Sequence, residues 1–421
     1  MPREKTTTIR TNGRSCVVGL DIGSSKIAVV IAEIGPDGGI PGIVGVGSAP
    51  AVDGINGGRV LNVTRAAEAI QRAVAEAEKV ACIDVRRVNV GIAGRSAMSM
   101  SGDGQITISK TGDREIGSVD VARVIEQSSS IQLPPDSEIL DVIPNEYRVD
   151  GQLISDPCGC TGFRLEAQVQ LVLVNPQDRD NLVKAVERAG FAVDGLYLGT
   201  LASAEAALSE EEKKMGVALV DLGASSTNLA VFCGGTLRFA GSIPFGSDMV
   251  THDLSVGLNT NVEQAERVKC EHGACSISSV EDGPVTLQGI GNRPAREVRR
   301  SDLAKIIAPR VREILMDVRK EIDDRKLRDK IVAGYVLTGG GSALRGIREE
   351  AEKILELPVS IGEVHTGQTG LGKNLVNQYT EGVGLVQLAA KDAERGARPG
   401  LPGPSGRGIA QTVLGILRKI F

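Results

Sequence analysis

One pattern occurs twice in this chain, and it limits the fold more than any other feature. Val17–Ile34 (VVGLDIGSSKIAVVIAEI) and Val217–Phe232 (VALVDLGASSTNLAVF) each run an apolar strand into an acid, turn on small residues and return as a β-rich strand. That is the grammar of a β-hairpin. The first copy has Asp21, the turn Gly23-Ser24-Ser25 and then Lys26; the second has Asp221 and Gly223-Ala224-Ser225-Ser226-Thr227. Either hairpin alone is explained by a turn that needs a φ > 0 residue. Two copies point to two similar halves facing each other across one ligand. The glycines let backbone come close, and small side chains leave N–H groups free to face an anion. Lys26 adds charge. Asp21 suits a hydrated Mg²⁺ rather than a phosphate oxygen. A third segment fits the same ligand. Tyr335–Leu337 leads into Thr338-Gly339-Gly340-Gly341-Ser342 and a helix-like Ala343–Leu355. Three consecutive glycines let flat backbone lie against a ring or phosphate, with a helix N-terminus behind.

Size and composition set the frame. A chain of 421 residues is expected to hold two to four domains. Aromatics make up 2% with no Trp, so the cores must be Val, Ile, Leu and Ala. A net charge of −5 does not suit nucleic acid. Seven cysteines form no CxxC pair, and Cys158-Gly159-Cys160 is too close for zinc-knuckle spacing. They read as reduced thiols in a cytosolic protein. The polar Met1–Arg14 has no apolar core for a signal peptide, and no apolar run approaches the ~20 residues of a membrane span.

In this order the three segments resemble the actin/Hsp70/sugar-kinase ATPase superfamily. Over most of the chain the sequence is similar to the FtsA family of bacterial division actins. GLDIGSSKIAVVIAEI, LASAEAAL (Leu201–Leu208), VALVDLGASSTNLAVF, AERVK (Ala265–Lys269), YVLTGGGSALRGI and the basic C-terminus carry the resemblance. It implies an α/β, actin-like (ribonuclease H-like) two-domain ATPase fold that binds ATP and Mg²⁺. Asp21, Gly23, Ser24, Ser25 and Lys26 would then form phosphate motif 1. Asp221, Gly223, Ala224, Ser225, Ser226 and Thr227 would form phosphate motif 2, with Gly246 in a small-residue turn beside it. Gly339, Gly340, Gly341 and Ser342 would hold adenosine. Glu266 and Lys269, one helical turn apart, would contact the ribose; as residues alone they read equally as a surface ion pair. Mg²⁺ would lie near Asp21 and Asp221, through water.

The resemblance also implies a layout. Residues 1–15 are a disordered tail. Residues 16–94, 177–208 and 384–390 form domain 1A, and 95–176 an inserted 1C-type domain. Residues 209–245 and 334–383 form domain 2A, and 246–333 subdomain 2B. In this family the insert serves self-association and contacts with later division proteins. A basic face with Arg300, Lys305, Arg310 and Arg312 would dock the C-terminal peptide of FtsZ; a solvated face is the default alternative. One departure stands out. Gly199 occupies the place where the Hsp70 pattern has a glutamate that orients the attacking water. Its absence implies slow or absent hydrolysis, and Glu205, nearby but displaced, does not take that role.

Local signals predict further elements. Helices are expected over Val63–Ala81, capped by Thr64, from Ser118 as cap to Ser129, from Asn175-Pro176 to Ala189, over Ser247–Gly257, over Ser301–Leu327 capped by Ser301, and over Thr380–Ala390. Lys391–Arg407 is rich in Gly and Pro and reads as a flexible linker. At the end, Ile409, Val413, Leu414, Ile416, Leu417, Ile420 and Phe421 fall within about 160° of a helical wheel, with Arg418 and Lys419 outside it. An apolar stripe beside cations reads as an interfacial membrane helix; docking on the protein's own surface or in a partner's groove is the alternative. The combined expectation is an ATP-binding division protein that polymerises and tethers the FtsZ ring at the cytoplasmic face of the cell membrane. The alternatives are a PilM-like pilus adaptor and a sugar-kinase-like phosphotransferase.

Overall fold

The computed structural model describes residues 9–11, 14–35, 42–51, 54–92, 94–109, 114–279, 281–289, 294–364 and 377–394. The expected linker beyond Glu394 and the amphipathic segment at 408–421, with all its expected membrane residues, lie outside these.

The first half opens with β1 (Ile9–Thr11), β2 (Arg14–Ile22), β3 (Lys26–Ile34) and β4 (Gly42–Pro50), a run of antiparallel strands. Residues 9–11, 14 and 15 are therefore strand, where a disordered tail was expected. The backbone of Ile9–Thr11 pairs with Arg14–Cys16 and lengthens the sheet edge. A small hairpin, β5 (Ile55–Asn56) and β6 (Arg59–Val60), leads to α1 (Val63–Ala81). The cap of α1 is Asn62, whose side chain accepts from the Arg65 N–H at 3.1 Å, and not Thr64. Asn in extended backbone just before the first turn satisfies an orphan donor. Strand β7 (Arg87–Ile92) then pairs parallel to β2.

The chain now leaves for a separate unit. β8 (Ala97–Thr107), α2 (Ser118–Ser129), β9 (Glu138–Val149), β10 (Gln152–Ile154) and β11 (Arg164–Val174) make an antiparallel sheet in the order β10-β9-β11-β8. Its own core joins Val121, Val124 and Ile125 of the helix to Leu165, Val169, Leu171 and Leu173 of the sheet. Gly117, not Ser118, precedes the first turn of α2, and Asp120 accepts its N–H at 3.1 Å. Ala97 pairs with Val174, so the unit enters and leaves at adjacent positions.

α3 (Pro176–Arg188), β12 (Ala192–Leu198) and α4 (Gly199–Ala207) return to the first half. Its sheet has the order β12-β7-β2-β3-β4. A short α5 (Glu210–Met215) crosses to the second half. There β13 (Val217–Leu222), β14 (Thr227–Cys233) and β15 (Thr236–Ile243) form a second antiparallel run. α6 (Ser247–Gly257), α7 (Val262–His272), β16 (Pro284–Leu287), β17 (Arg296–Arg299) and α8 (Arg300–Asp324) follow. Ser301 does not cap α8; it lies inside the helix, and its N–H donates to Asp282 at 3.1 Å. β18 (Tyr335–Thr338), α9 (Ile347–Leu355) and β19 (Val359–Ile361) complete a sheet ordered β15-β14-β13-β18-β19. The two sheets share one plan: three antiparallel strands, then two parallel ones on the side of the first. The repeat in the sequence is thus a repeat of whole half-molecules.

The last helix, α10 (Thr380–Glu394), runs four residues beyond the expected Ala390 and takes Lys391–Glu394 out of the expected linker. It lies against α4 and the β2–β3 face, with Val383, Leu385, Val386 and Ala389 beside Val30 and Ala202. A Cβ at Gly384 would run into the Ala202 carbonyl, so this crossing requires glycine.

Because the insert has its own core and adjacent ends, excising residues 95–176 with a short Gly-Ser bridge should leave one cooperative thermal unfolding transition. The midpoint should fall, because Leu140, Val172 and Val174 pack into the first half's core. Each such side chain is worth about 1.5–3 kcal/mol. A remainder without any cooperative transition would make the segment part of the core fold.

Candidate functional site

Both acid-bearing strands sit in the middle of their sheets, and both turns fold alike. Asp21 pairs with Ala28 across one hairpin and Asp221 with Asn228 across the other. A Cβ at Gly23 would lie 2.8 Å from the Lys26 carbonyl, and one at Gly223 2.8 Å from that of Ser226. Glycine is therefore required at the same place in each turn.

The two turns meet. The Ser225 hydroxyl donates to that of Ser24 at 2.6 Å. The Gly57 N–H donates to Ser225 Oγ at 3.0 Å and the Gly58 N–H to Ser24 Oγ at 3.1 Å. Residues about 200 positions apart thus converge with two glycine N–H groups on one small space. Gly57 and Gly58 were legible only as a glycine-rich turn. Ser25 is exposed, and its carbonyl accepts from the Ala51 N–H at 3.0 Å. Lys26 Nζ donates to Gln378 at 3.1 Å and lies 5.0 Å from the centre of the Tyr379 ring. Burial lowers its pKa, and Asp21 opposes that.

Three acids face this space. Burial raises Asp21 to about 7, with Lys26 opposing and Asp221 adding to the shift. Burial raises Asp221 to about 6, against a 3.1 Å hydrogen bond from Ser203 on α4. The third acid, Glu381 at the start of α10, was missed. A Cβ at Gly91 or at Gly199 would run into its carboxylate. Burial, and then the charges of Asp21 and Asp221, push its carboxyl well above the ordinary range. Among the described residues no three His, Cys, Asp or Glu side chains stand close enough to ligate one ion directly. A hydrated divalent cation would suit this donor set, because its charge would offset the repulsion among the acids. Glu205 is occupied elsewhere: it accepts from Lys213 at 3.2 Å and from Lys391.

The second turn continues into the other expected residues. Thr227 Oγ1 donates to the Phe245 carbonyl at 2.8 Å, the Ser247 N–H to Gly223 at 3.0 Å, and the Asp248 N–H to Ala224 at 2.8 Å. Gly246 is packed against the Ala224 carbonyl with no room for a side chain, and Ser226 is buried. Lys269 is buried; its Nζ donates to Thr251 at 2.8 Å and to the Ser247 carbonyl at 3.3 Å, and pairs with Glu266 at 2.6 Å. Burial pushes the Glu266 carboxyl up, but Lys269 and Thr251 outweigh it and hold it below its ordinary value. Within the pair, the Glu266 side chain is 45% exposed and that of Lys269 7%. Glu266 is the more exposed member, and Lys269 ties α7 to α6.

Gly339 adopts φ +80°, and a Cβ there would meet the Asp221 carboxylate. Gly340 faces open space, Gly341 backs onto Leu222, and Ser342 Oγ donates to the Gly339 carbonyl at 2.7 Å. The expected helix from Ala343 is corrected. A single 3₁₀ turn, Gly340–Ala343, follows the glycines, and α9 starts only at Ile347, after Gly346 at φ +74°.

The basic face of α8 lies apart from this cleft and is largely paired within the chain. Lys305 donates to Asp302 at 2.9 Å, Arg310 to Asp253 at 2.7 Å and Glu313 at 2.6 Å, and Arg312 to Glu350 at 2.8 Å. The Arg300 Nε is buried without a hydrogen-bond partner. None of the seven cysteines is joined in a disulfide.

Comparison with known proteins places this geometry. The family model described as "Cell division protein FtsA" matches residues 218–384, and that described as "SHS2 domain inserted in FTSA" matches residues 94–173. The FtsA protein of Pseudomonas aeruginosa is 35% identical over 394 residues, covering 92% of this chain and 93% of that protein. Those of Escherichia coli K12 and Bacillus subtilis are each 35% identical, covering 90% and 91% of this chain and 91% and 85% of theirs. A solved PilM-PilN type IV pilus biogenesis complex has a chain similar in fold, with a TM-score of 0.61, 18% identity, and coverage of 90% of this chain and 98% of that one. The MreB5 protein of Spiroplasma citri bound to ADP gives a TM-score of 0.55 at 13% identity, with coverage of 90% and 98%. Two hairpin-bearing halves around one cleft, the inserted domain and identity sustained over nine-tenths of the sequence agree: the fold is that of the actin-like ATPases, and the chain belongs to the FtsA family of cell division proteins.

Proposed function

We propose that this chain binds Mg²⁺-ATP in the cleft and, as a polymer, tethers the FtsZ ring to the cytoplasmic face of the cell membrane at the division site. The observation that carries the reading is the meeting of the two turns at Ser24 and Ser225. Their hydroxyls and the Gly57 and Gly58 N–H groups bond to one another and can exchange those bonds for phosphate oxygens. Lys26 adds the cation from the first turn. Asp21 and Asp221 hold Mg²⁺ through its waters, and the bound ion neutralises the phosphates. Gly339, Gly340, Gly341 and Ser342 form the adenosine floor, with Glu266 at the ribose. Both halves contribute to one ligand, so nucleotide binding fixes their relative position, as a polymerising subunit requires.

The other roles follow from outer features. The inserted domain packs its Gln170 and Ser99 onto β15 of the second half, through the Arg238 carbonyl at 3.0 Å and the Ala240 N–H at 2.7 Å. It is the surface for self-association and for later division proteins. Arg300, Lys305, Arg310 and Arg312 receive the acidic FtsZ peptide by exchanging internal partners for external ones. The segment 408–421 binds anionic lipid. A partly buried stripe of large apolar side chains, at about 1.5–3 kcal/mol each when fully buried, binds reversibly as a single copy. Many copies on one polymer bind tightly.

Three outcomes test these statements. Asp221→Ala should weaken Mg²⁺-ATP binding about tenfold or more in a fluorescent-nucleotide titration, as loss of a charge-assisted contact of about 1.5–3 kcal/mol requires; unchanged affinity removes Asp221 from the site. The nucleotide-free protein should lose stability to urea as pH rises from about 4 to 7. Asp21 and Asp221 are raised in the folded state, so the unfolded chain gives up their protons first and gains over the folded state until pH passes about 7. Mg²⁺-ATP should flatten that slope, and an unchanged slope would count against the cation site. Finally, in co-sedimentation with anionic liposomes and Mg²⁺-ATP, the full chain should pellet and a chain ending at Ser405 should not. Equal pelleting would assign the tail another partner.

A further inference from the structure

The carboxylate of Glu381 stands where the sequence reads as lacking one. In the Hsp70 pattern the acid at position 199 belongs to the strand-to-helix junction itself; here that junction carries Gly199. The structure brings an acid up against that junction from another element. Gly199 opens α4 and Gly91 closes in from β7, and at both the missing side chain leaves the room that the Glu381 carboxylate fills. The start of α10 is tied down on the cleft side: Thr338 donates to Thr380 at 3.1 Å, and Thr338 is the β18 residue paired with Asp221. The preceding Gln378 and Tyr379 hold Lys26. Glu381 is therefore built into the wall between the two hairpins, facing both of their acids.

We propose that Glu381 is the third carboxylate of the Mg²⁺-nucleotide cleft, accepting from a water of the hydrated cation whose other waters face Asp21 and Asp221. The assignment rests on the nucleotide reading above and deepens it. Three acids opposed by Lys26 leave an excess of negative charge that a divalent cation offsets. Direct ligation by all three is not available among the described residues, and Mg²⁺ keeps several of its waters in such sites.

The test is a fluorescent-ATP titration over a series of free Mg²⁺ concentrations, on the full chain and on Glu381→Gln. Glutamine keeps the shape against Gly91 and Gly199 and removes the charge. The half-saturating Mg²⁺ concentration should rise about tenfold or more, while ATP affinity in EDTA stays the same or improves. Glu381→Asp retains the charge and should recover part of the Mg²⁺ dependence. A Gln variant with the parent's Mg²⁺ dependence overturns the proposal. So does an equal loss of affinity with and without Mg²⁺, the result of a packing role, or an Asp variant no better than Gln. If the parent binds ATP with no gain from Mg²⁺, the Glu381 assignment falls and the nucleotide reading stands. If the parent does not bind ATP, the nucleotide reading falls and the assignment with it.

Discussion

Everything in this molecule is arranged around carboxylates held where carboxylates are costly. Two central strands end in Asp21 and Asp221, and a helix end adds Glu381 between them. Taking such groups out of water without a partner disfavours their charged form. The shifts of Asp21 and Asp221 are dominated by burial and only modestly relieved by Lys26 and Ser203. A fold that placed them for stability alone would have paired them. The cleft instead keeps them together and short of positive charge, which favours whatever ligand brings a cation. The same logic explains the neighbouring backbone. Glycines at 91, 199 and 339 remove side chains that would have run into the acids, and those at 23 and 223 let each turn close on its own carbonyl.

The parts of this plan that were legible in the sequence are the local ones. Strand, acid, glycine and return strand are neighbours along the chain, so both hairpins could be read directly, and helical periodicity fixed α1 at Val63–Ala81. Capping was read less well, because Asn62 and Thr64 carry the same chemistry two residues apart and backbone conformation chooses between them. Lys269 looked like half of a surface pair. Only the packing of α7 on α6 buries it against Ser247 and Thr251. The cations of α8 looked unpartnered because Asp253 and Glu350 lie on other elements.

Glu381 was illegible for a stronger reason. Along the chain it is one acid near the start of a helix, which is where acids favour the helix dipole anyway. Its meaning comes from two glycines, 91 and 199, on two other elements, and from the α4–α10 crossing that Gly384 allows. The acid that packs against Gly199 comes from another element, and no window of local sequence contains both.

The same helix ties the cleft to its surroundings. Glu381 stands at one end of α10; near the other end Lys391 donates to Glu205 of α4. Glu205 also accepts from Lys213, on the short helix that joins the halves, and Lys213 pairs with Glu210 at 2.9 Å. Burial pushes Glu205 up, but the two lysines outweigh it and hold its carboxyl below the ordinary value, so the acid stays charged and both bonds persist together. One helix packed along its length on α4 and the first sheet therefore reaches from the cleft acids to the link between the halves. Beyond it lies the segment assigned above to lipid. A displacement that shifts α10 against α4 would move Glu381 and the Lys391–Glu205 pair together, because both are carried by that one helix. In the adaptor proposed here, that makes nucleotide occupancy and the geometry at the base of the tail two consequences of a single packing arrangement.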